Sequence, residues 1–238
     1  FKANKWRNVT YPAKVLPIVF GNGALSEKKI EYLKSLRRMD KQVDIVHISR
    51  IYEEGPEAEH NIRVYEQLAR LDCSKDLVAI FKKKSVARVD NSEYIDRLRS
   101  LGVVCTDEHM RPRELWRRMG ASRTVFLRAG RCLCIPWRMI DLLAMGACVV
   151  YDALPFPQWP VPLKSMENFV ECQENWPIDG YEGDMWDYEA IKSTIEMVLR
   201  DEGMQDRLRS NNAAYFDKYA SPDAVATYVL DNLSKTMH

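Results

Sequence analysis

Six short apolar runs recur along the chain: Gln42 to Arg50 (QVDIVHISR), Asp76 to Lys82 (DLVAIFK), Gly102 to Glu108 (GVVCTDE), Arg123 to Gly130 (RTVFLRAG), Ala147 to Leu154 (ACVVYDAL) and Asn168 to Cys172 (NFVEC). Each has the length and composition of a buried strand. The intervening segments AEHNIRVYEQLARL, SEYIDRLRSL, RPRELWRRMG and PWRMIDLLAMG place apolar residues three and four apart, as helices with one buried face do. Strand and helix in alternation predict an α/β fold: an open, mostly parallel sheet with helices on both faces. Pro136 suits the first turn of the fourth helix, and Gly146 is placed to end it in the left-handed conformation. After Cys172 an acidic, aromatic stretch leads into a long helical C-terminal tail, with a break expected at Ser221-Pro222. Residues 1–41 supply one apolar run and one amphipathic helix, read as a strand and helix leading into the domain that occupies residues 42–238.

Composition bounds the function classes. With 238 residues and 46% apolar content the chain can bury a sizeable core, and 35 basic against 34 acidic residues leave a net charge of +1. No overall field draws it to nucleic acid or to an anionic membrane, so any anion must be held by a local site. The six cysteines, Cys73, Cys105, Cys132, Cys134, Cys148 and Cys172, form no C-x-x-C pair and read as small hydrophobes in a reducing, cytoplasmic setting. Cys132 and Cys134 alternate on a strand and have no histidine near them in sequence, which argues against a metal pair. No stretch approaches the length of a transmembrane helix, and the amino terminus is not a signal peptide. The chain begins at Phe1 without a methionine, so further elements are expected outside it.

The thirty residues from Gly130 to Trp159 hold the strongest chemical signal. Arg138 and Asp141 stand three apart at the front of an otherwise apolar helix. Ligands of open parallel sheets bind at the carboxyl ends of the strands, where helix amino termini present free N–H groups. An arginine in a first turn is unfavourable against the helix dipole unless an anion compensates, and a diphosphate would do so. Asp141, one turn on, suits ribose hydroxyls. The alternative is a local i, i+3 ion pair worth a few tenths of a kcal/mol.

RAGRCLCIPWRMIDLLAMGACVVYDALPFPQW resembles the nucleotide-sugar-binding half of GT-B glycosyltransferases, and among them exostosin-like proteins. The resemblance rests on Arg138 and Asp141, the LLAMGACVV run, and Leu154, Pro155, Phe156 and Trp159; more loosely it extends from Gln42 to Lys235. It implies a Rossmann-like half of a GT-B fold and a hexosyl- or pentosyl-transferase, with Arg138 on the donor diphosphate and Asp141 on the ribose. Two positions depart from the family: Pro136 replaces a frequent hydroxyl residue, and Asp141 replaces the usual glutamate. The first acid of the paired-glutamate pattern of many retaining enzymes would fall at Leu133, so the stereochemistry stays open and no catalytic residue is assigned.

Other positions follow from their places at strand ends. Ser49, Arg50 and Arg128 are further candidates for the diphosphate, each against the reading of a solvated strand end. Thr106 and Asp107 lie where related folds read the base, with His109 beside them. Phe156 and Trp159 either wall a sugar or acceptor site or plug the end of the core. His47, His60 and the run Lys82 to Lys84 read as structural or solvated. No D-x-D pair is present, so a metal-independent site is expected. The resemblance implies no cofactor beyond a nucleotide-sugar donor, a UDP-sugar first, with GDP- and CMP-sugars as alternatives. It further implies a glycan acceptor and an N-terminal acceptor domain or another chain, with a Golgi lumen location as the alternative to cytoplasm. A non-catalytic nucleotide-binding module and a GT-B-type nucleotide-sugar epimerase are the rival readings.

Overall fold

The computed structural model describes residues 16–19, 25–51, 56–81, 92–128, 135–153, 159–173 and 186–236. All six apolar runs form strands: β1 (Val43–Ile51), β2 (Lys75–Phe81), β3 (Val104–Thr106), β4 (Ser122–Leu127), β5 (Val149–Tyr151) and β6 (Val170–Glu171). They build one sheet in the order β3-β2-β1-β4-β5-β6, with every neighbouring pair parallel. The expected open, doubly wound α/β sheet is therefore present, and its strand order reverses between β1 and β4.

The helices are α1 (Glu27–Ser35), α2 (Pro56–Ala69), α3 (Ser92–Ser100), α4 (Pro112–Gly120), α5 (Arg138–Ala144), α6 (Tyr188–Arg200), α7 (Glu202–Tyr215) and α8 (Pro222–Thr236). One face of the sheet is sealed by α2, α3 and α6, where Ile45, Phe126 and Val150 meet Ile62, Leu68, Leu98 and Ile195. On the other face Val46, Ile48 and Val125 meet Leu33 of α1, Met119 of α4 and Leu143 of α5. The tail joins the two cores, since α7 gives Leu208 to the first and Tyr215 to the second.

Local chemistry explains the boundaries. Gly146 has φ +59°, the left-handed conformation expected of it, and Ala147 N–H and Gly146 N–H bond Leu142 O and Leu143 O at 2.9 and 3.0 Å, closing α5. Pro136 lies just outside α5 rather than within its first turn; its carbonyl accepts Met139 N–H at 2.9 Å. The tail breaks before Pro222 as expected, after a π-helical turn at Phe216–Ala220. It also breaks at Asp201, which the apolar spacing does not show, because the Asp201 carboxylate accepts Met204 N–H at 2.8 Å and starts α7.

One feature of the sheet positions the site. The β1–β2 ladder runs to Ile51↔Phe81, at the end of both strands. Among the described residues the β1–β4 ladder ends at Val46↔Val125, although β1 continues to Ile51 and β4 to Leu127. Beyond that rung the two strands share no further pair among the described residues, and this parting lies where the strand order reverses, the crevice position at which open parallel sheets bind ligands.

Candidate functional site

Side chains take over two backbone carbonyls beyond the last β1–β4 rung. His47 Nδ1–H donates to Phe126 O at 3.0 Å, and Arg138 Nη1–H donates to Ile48 O. Arg138 thus reaches from the start of α5 across the mouth of the crevice to β1. Burial holds its guanidinium below the usual arginine value, and the cations Arg128 and Arg50 act in the same direction. Three arginines therefore share one neighbourhood: Arg50 near the end of β1, Arg128 just past β4, and Arg138.

Their partners differ in charge. Arg128, 7% exposed, pairs with Glu57 in the first turn of α2 at 2.9 Å. Arg50 donates to His109 Nε2, so that nitrogen carries no hydrogen while the contact is made. Arg138 meets a neutral carbonyl. Among the described residues neither Arg50 nor Arg138 has an ion-pair partner, and the negative charge that acts on Arg138 through space is the Asp141 carboxylate.

Asp141 makes its direct contacts with other helices. Its Oδ2 accepts from Trp116 Nε1–H of α4 at 2.9 Å, and its Oδ1 lies 2.8 Å from Lys29 Nζ of α1. The carboxylate ties three helices together and is not in an ion pair with Arg138. Ser49 points away from Arg50, because alternate residues of a strand face opposite sides. Its N–H donates to Tyr65 Oη at 3.0 Å, its hydroxyl lies 3.2 Å from the same oxygen, and Tyr65 O–H donates to Val78 O at 2.5 Å. Trp159 is 1% exposed and lies beside Tyr215 in the core, with ring centroids 6.4 Å apart, so no ring face is open to a ligand. Of its two readings, the core plug is the one this geometry supports. Phe156 lies outside the described residues, as do Cys132, Leu133, Cys134, Leu154, Pro155 and Lys82 to Lys84.

Thr106 and Asp107 line a cavity of about 370 Å³ at the carboxyl ends of β2 and β3, bounded on one side by α3. The same loop continues to His109, which Arg50 holds, so the cavity and the arginine cluster share one edge of the sheet.

Two buried histidines lie behind the cluster. His47 is pushed down to about 3 by burial, with Arg128 and Arg138 adding to the effect, and its Nε2 has no hydrogen-bond partner. His60, 1% exposed, places Nε2 3.2 Å from Asp152 Oδ2 and Nδ1 3.1 Å from Tyr188 Oη, beneath the Trp186 ring. Burial outweighs the Asp152 carboxylate and lowers its pKa, so His60 is neutral and donates to Asp152 while accepting from Tyr188. This network closes the edge at β5. The sequence offered one signal of it, an acid directly after the strand VVY, but nothing that pairs Asp152 with His60.

No helix among the described residues is long and apolar enough to cross a membrane, and no group of three or more His, Cys, Asp or Glu is placed to hold a metal ion.

No family profile and no curated protein sequence matches the chain. Solved structures do. The C-terminal domain of a glycosyl transferase group 1 family protein from Francisella tularensis superposes with a TM-score of 0.50 at 12% identity, covering 83% of this chain and 95% of that one. Sucrose-phosphate synthase from Thermosynechococcus elongatus gives 0.58 at 14% identity, covering 87% of this chain and 49% of that one. Anabaena HepE in complex with UDP and glucose gives 0.51 at 14% identity, covering 89% and 53%. The chain spans nearly all of the first of these and about half the length of the other two. At such identities the likeness concerns the backbone, and the fold it shows is one half of a GT-B architecture, an open parallel α/β sheet with a helical C-terminal stretch.

Proposed function

We propose that this chain is the donor-binding half of a glycosyltransferase that takes its sugar from a nucleotide sugar. The observation that carries the reading is the convergence of Arg50, Arg128 and Arg138 on the β1–β4 crevice, two of them without an anionic partner among the described residues. A diphosphate supplies the missing charge. Guanidinium forks suit it because they give paired, charge-assisted hydrogen bonds to phosphate oxygens. The backbone likeness to HepE, solved with UDP and glucose, supports a donor of this class.

In this reading the arginines act on the leaving group. As the bond from sugar to diphosphate breaks, negative charge grows on the diphosphate, and cations already fixed by Ile48 O, His109 and Glu57 stabilise it with little rearrangement. Thr106 and Asp107 take the base in their cavity. Asp141 serves the ribose only through lone pairs left over by Lys29 and Trp116. Ser49 supports α2 instead of the ligand. The glycan acceptor and the groups that activate it belong to an N-terminal domain or a second chain, and no metal is assigned to the donor site.

The test combines calorimetry with a transfer assay on the purified chain. Nucleoside diphosphate binds, while transfer from the matching nucleotide sugar to glycan acceptors is slow, because a donor in a half-open cleft is wet and meets no positioned nucleophile. Absence of nucleotide binding would overturn the donor reading, and robust transfer by the chain alone would overturn its incompleteness.

A further inference from the structure

Glu57 brings a negative charge into direct contact with the proposed diphosphate site. It stands in the first turn of α2, directly after Pro56, and its Oε1 accepts from Arg128 Nη2–H at 2.9 Å. Both side chains are largely buried, so solvent screens the pair only weakly. A helix amino terminus favours an acid whichever way the side chain turns. Glu59, in the same turn, goes to Arg63 and Arg97 instead, at 3.1 and 3.5 Å. Of the two acids in this turn, Glu57 is the one engaged with the cluster of Arg50, Arg128 and Arg138.

The charge of the proposed ligand changes during the reaction. In a nucleotide sugar both phosphates are esterified, and the diphosphate carries roughly two negative charges. When the bond to the sugar breaks, its electron pair stays on the diphosphate oxygen and the terminal phosphate becomes a monoester. The second ionisation of a phosphate monoester, with a pKa of about 6, brings the free diphosphate close to three charges at neutral pH. A site lined by arginines alone would hold this spent diphosphate tighter than the donor and be blocked by it. A carboxylate fixed on one of those arginines repels the more highly charged ligand more strongly and narrows the difference. We propose that Glu57 is a specificity-determining residue of the donor site, one that sets the balance between intact nucleotide sugar and spent nucleoside diphosphate. The proposal deepens the donor-binding reading above and rests on it.

Calorimetric titration of the full chain and of Glu57→Gln tests it, with UDP against UDP-glucose and GDP against GDP-glucose. The side-chain amide keeps an oxygen to accept from Arg128, so the variant loses the charge and retains the contact. For whichever base binds, the ratio of diphosphate affinity to nucleotide-sugar affinity should rise about three- to tenfold in the variant. A purely structural role for Glu57 would lower the melt or move both affinities by one factor, leaving the ratio where it was. An unchanged or falling ratio therefore overturns the proposal and leaves the donor reading standing. If no diphosphate and no nucleotide sugar binds the unaltered chain, both fall. Should Glu57→Gln fail to fold, Arg128→Met is compared with the double variant Arg128→Met, Glu57→Met, in which the buried pair is removed as a whole. The same rise is expected between these two, and an unchanged ratio again overturns the proposal.

Discussion

Replacing Asp141 with alanine should destabilise the fold, and the size of the loss follows from its two partners. Trp116 Nε1–H, 2.9 Å from Oδ2, loses a charged acceptor. Hydrogen bonds to charged groups contribute about 1.5–3 kcal/mol, and the lower end applies because Trp116 is only half-buried. Lys29 Nζ loses its counter-ion in a pair whose side chains are 17% and 11% exposed. Breaking a fully buried pair costs about 3–5 kcal/mol; here the ammonium can shift toward water, which reduces the loss to roughly 1–2 kcal/mol. Together these give about 3 kcal/mol, or a fall in Tm of roughly 6–12 °C for a chain of this size. Asp141→Asn keeps an acceptor for Trp116 and loses only the ion pair, so its melt should fall by about half as much. Thermal melts and urea titrations at neutral pH measure both, and a double-mutant cycle with Lys29→Met should show a coupling of about 1 kcal/mol or more. Melts within a degree of the unaltered chain for both variants would mean that neither Trp116 nor Lys29 draws stability from the carboxylate.

Other expectations concern the core and its pH dependence. Gly146→Ala should cost about 1–3 kcal/mol by thermal melt, because φ is +59° and an added Cβ would meet Arg209 O at 3.1 Å and Ala213 Cβ at 3.3 Å. His47, held near 3 in the fold, stays neutral while the unfolded chain takes up a proton below about 6.5; the unfolded state then binds more protons, and stability falls as pH drops through that window. The loss amounts to about 2 kcal/mol at pH 5, and His47→Asn, whose amide can still donate to Phe126 O, should flatten this part of a urea-denaturation pH profile.

The elements of this fold are written locally, and the site is not. Apolar runs located all six strands because a strand covered on both faces needs little but apolar residues, and Gly146 ended α5 because its backbone conformation is a property of one residue. Arg138, Arg50 and Arg128 were recognised as strand-edge cations by position alone. Their convergence depends on the strand order, which places β1 beside β4 although 70 residues of chain lie between Ile51 and Ser122. Asp141 shows the limit of spacing. Three residues separate it from Arg138, yet its partners are Lys29 and Trp116, on helices far from it in sequence that the apolar pattern does not pair. The contacts of Ser49 and Trp159 were illegible for the same reason: what packs against a side chain, Tyr65 in one case and Tyr215 in the other, lies far from it in sequence. Asp201 escaped notice because a capping carboxylate interrupts a helix without disturbing its apolar periodicity.

The arginine cluster at the β1–β4 crevice stands or falls as a diphosphate site on its affinity for nucleoside diphosphates. Its most direct test is the titration of the unaltered chain and of Arg138→Ala with GDP and with UDP, each beside a thermal melt. Arg138 donates to Ile48 O and has no carboxylate partner among the described residues, so its loss breaks no ion pair and costs the fold about 1–3 kcal/mol for the carbonyl left unpaired, which the melt reads separately. The better-bound nucleotide should lose about 2–4 kcal/mol, roughly thirty- to nearly a thousandfold in Kd, as charge-assisted bonds in a partly desolvated cleft disappear. Equal affinity in the two proteins would show that the diphosphate does not sit on Arg138 and would contradict the account.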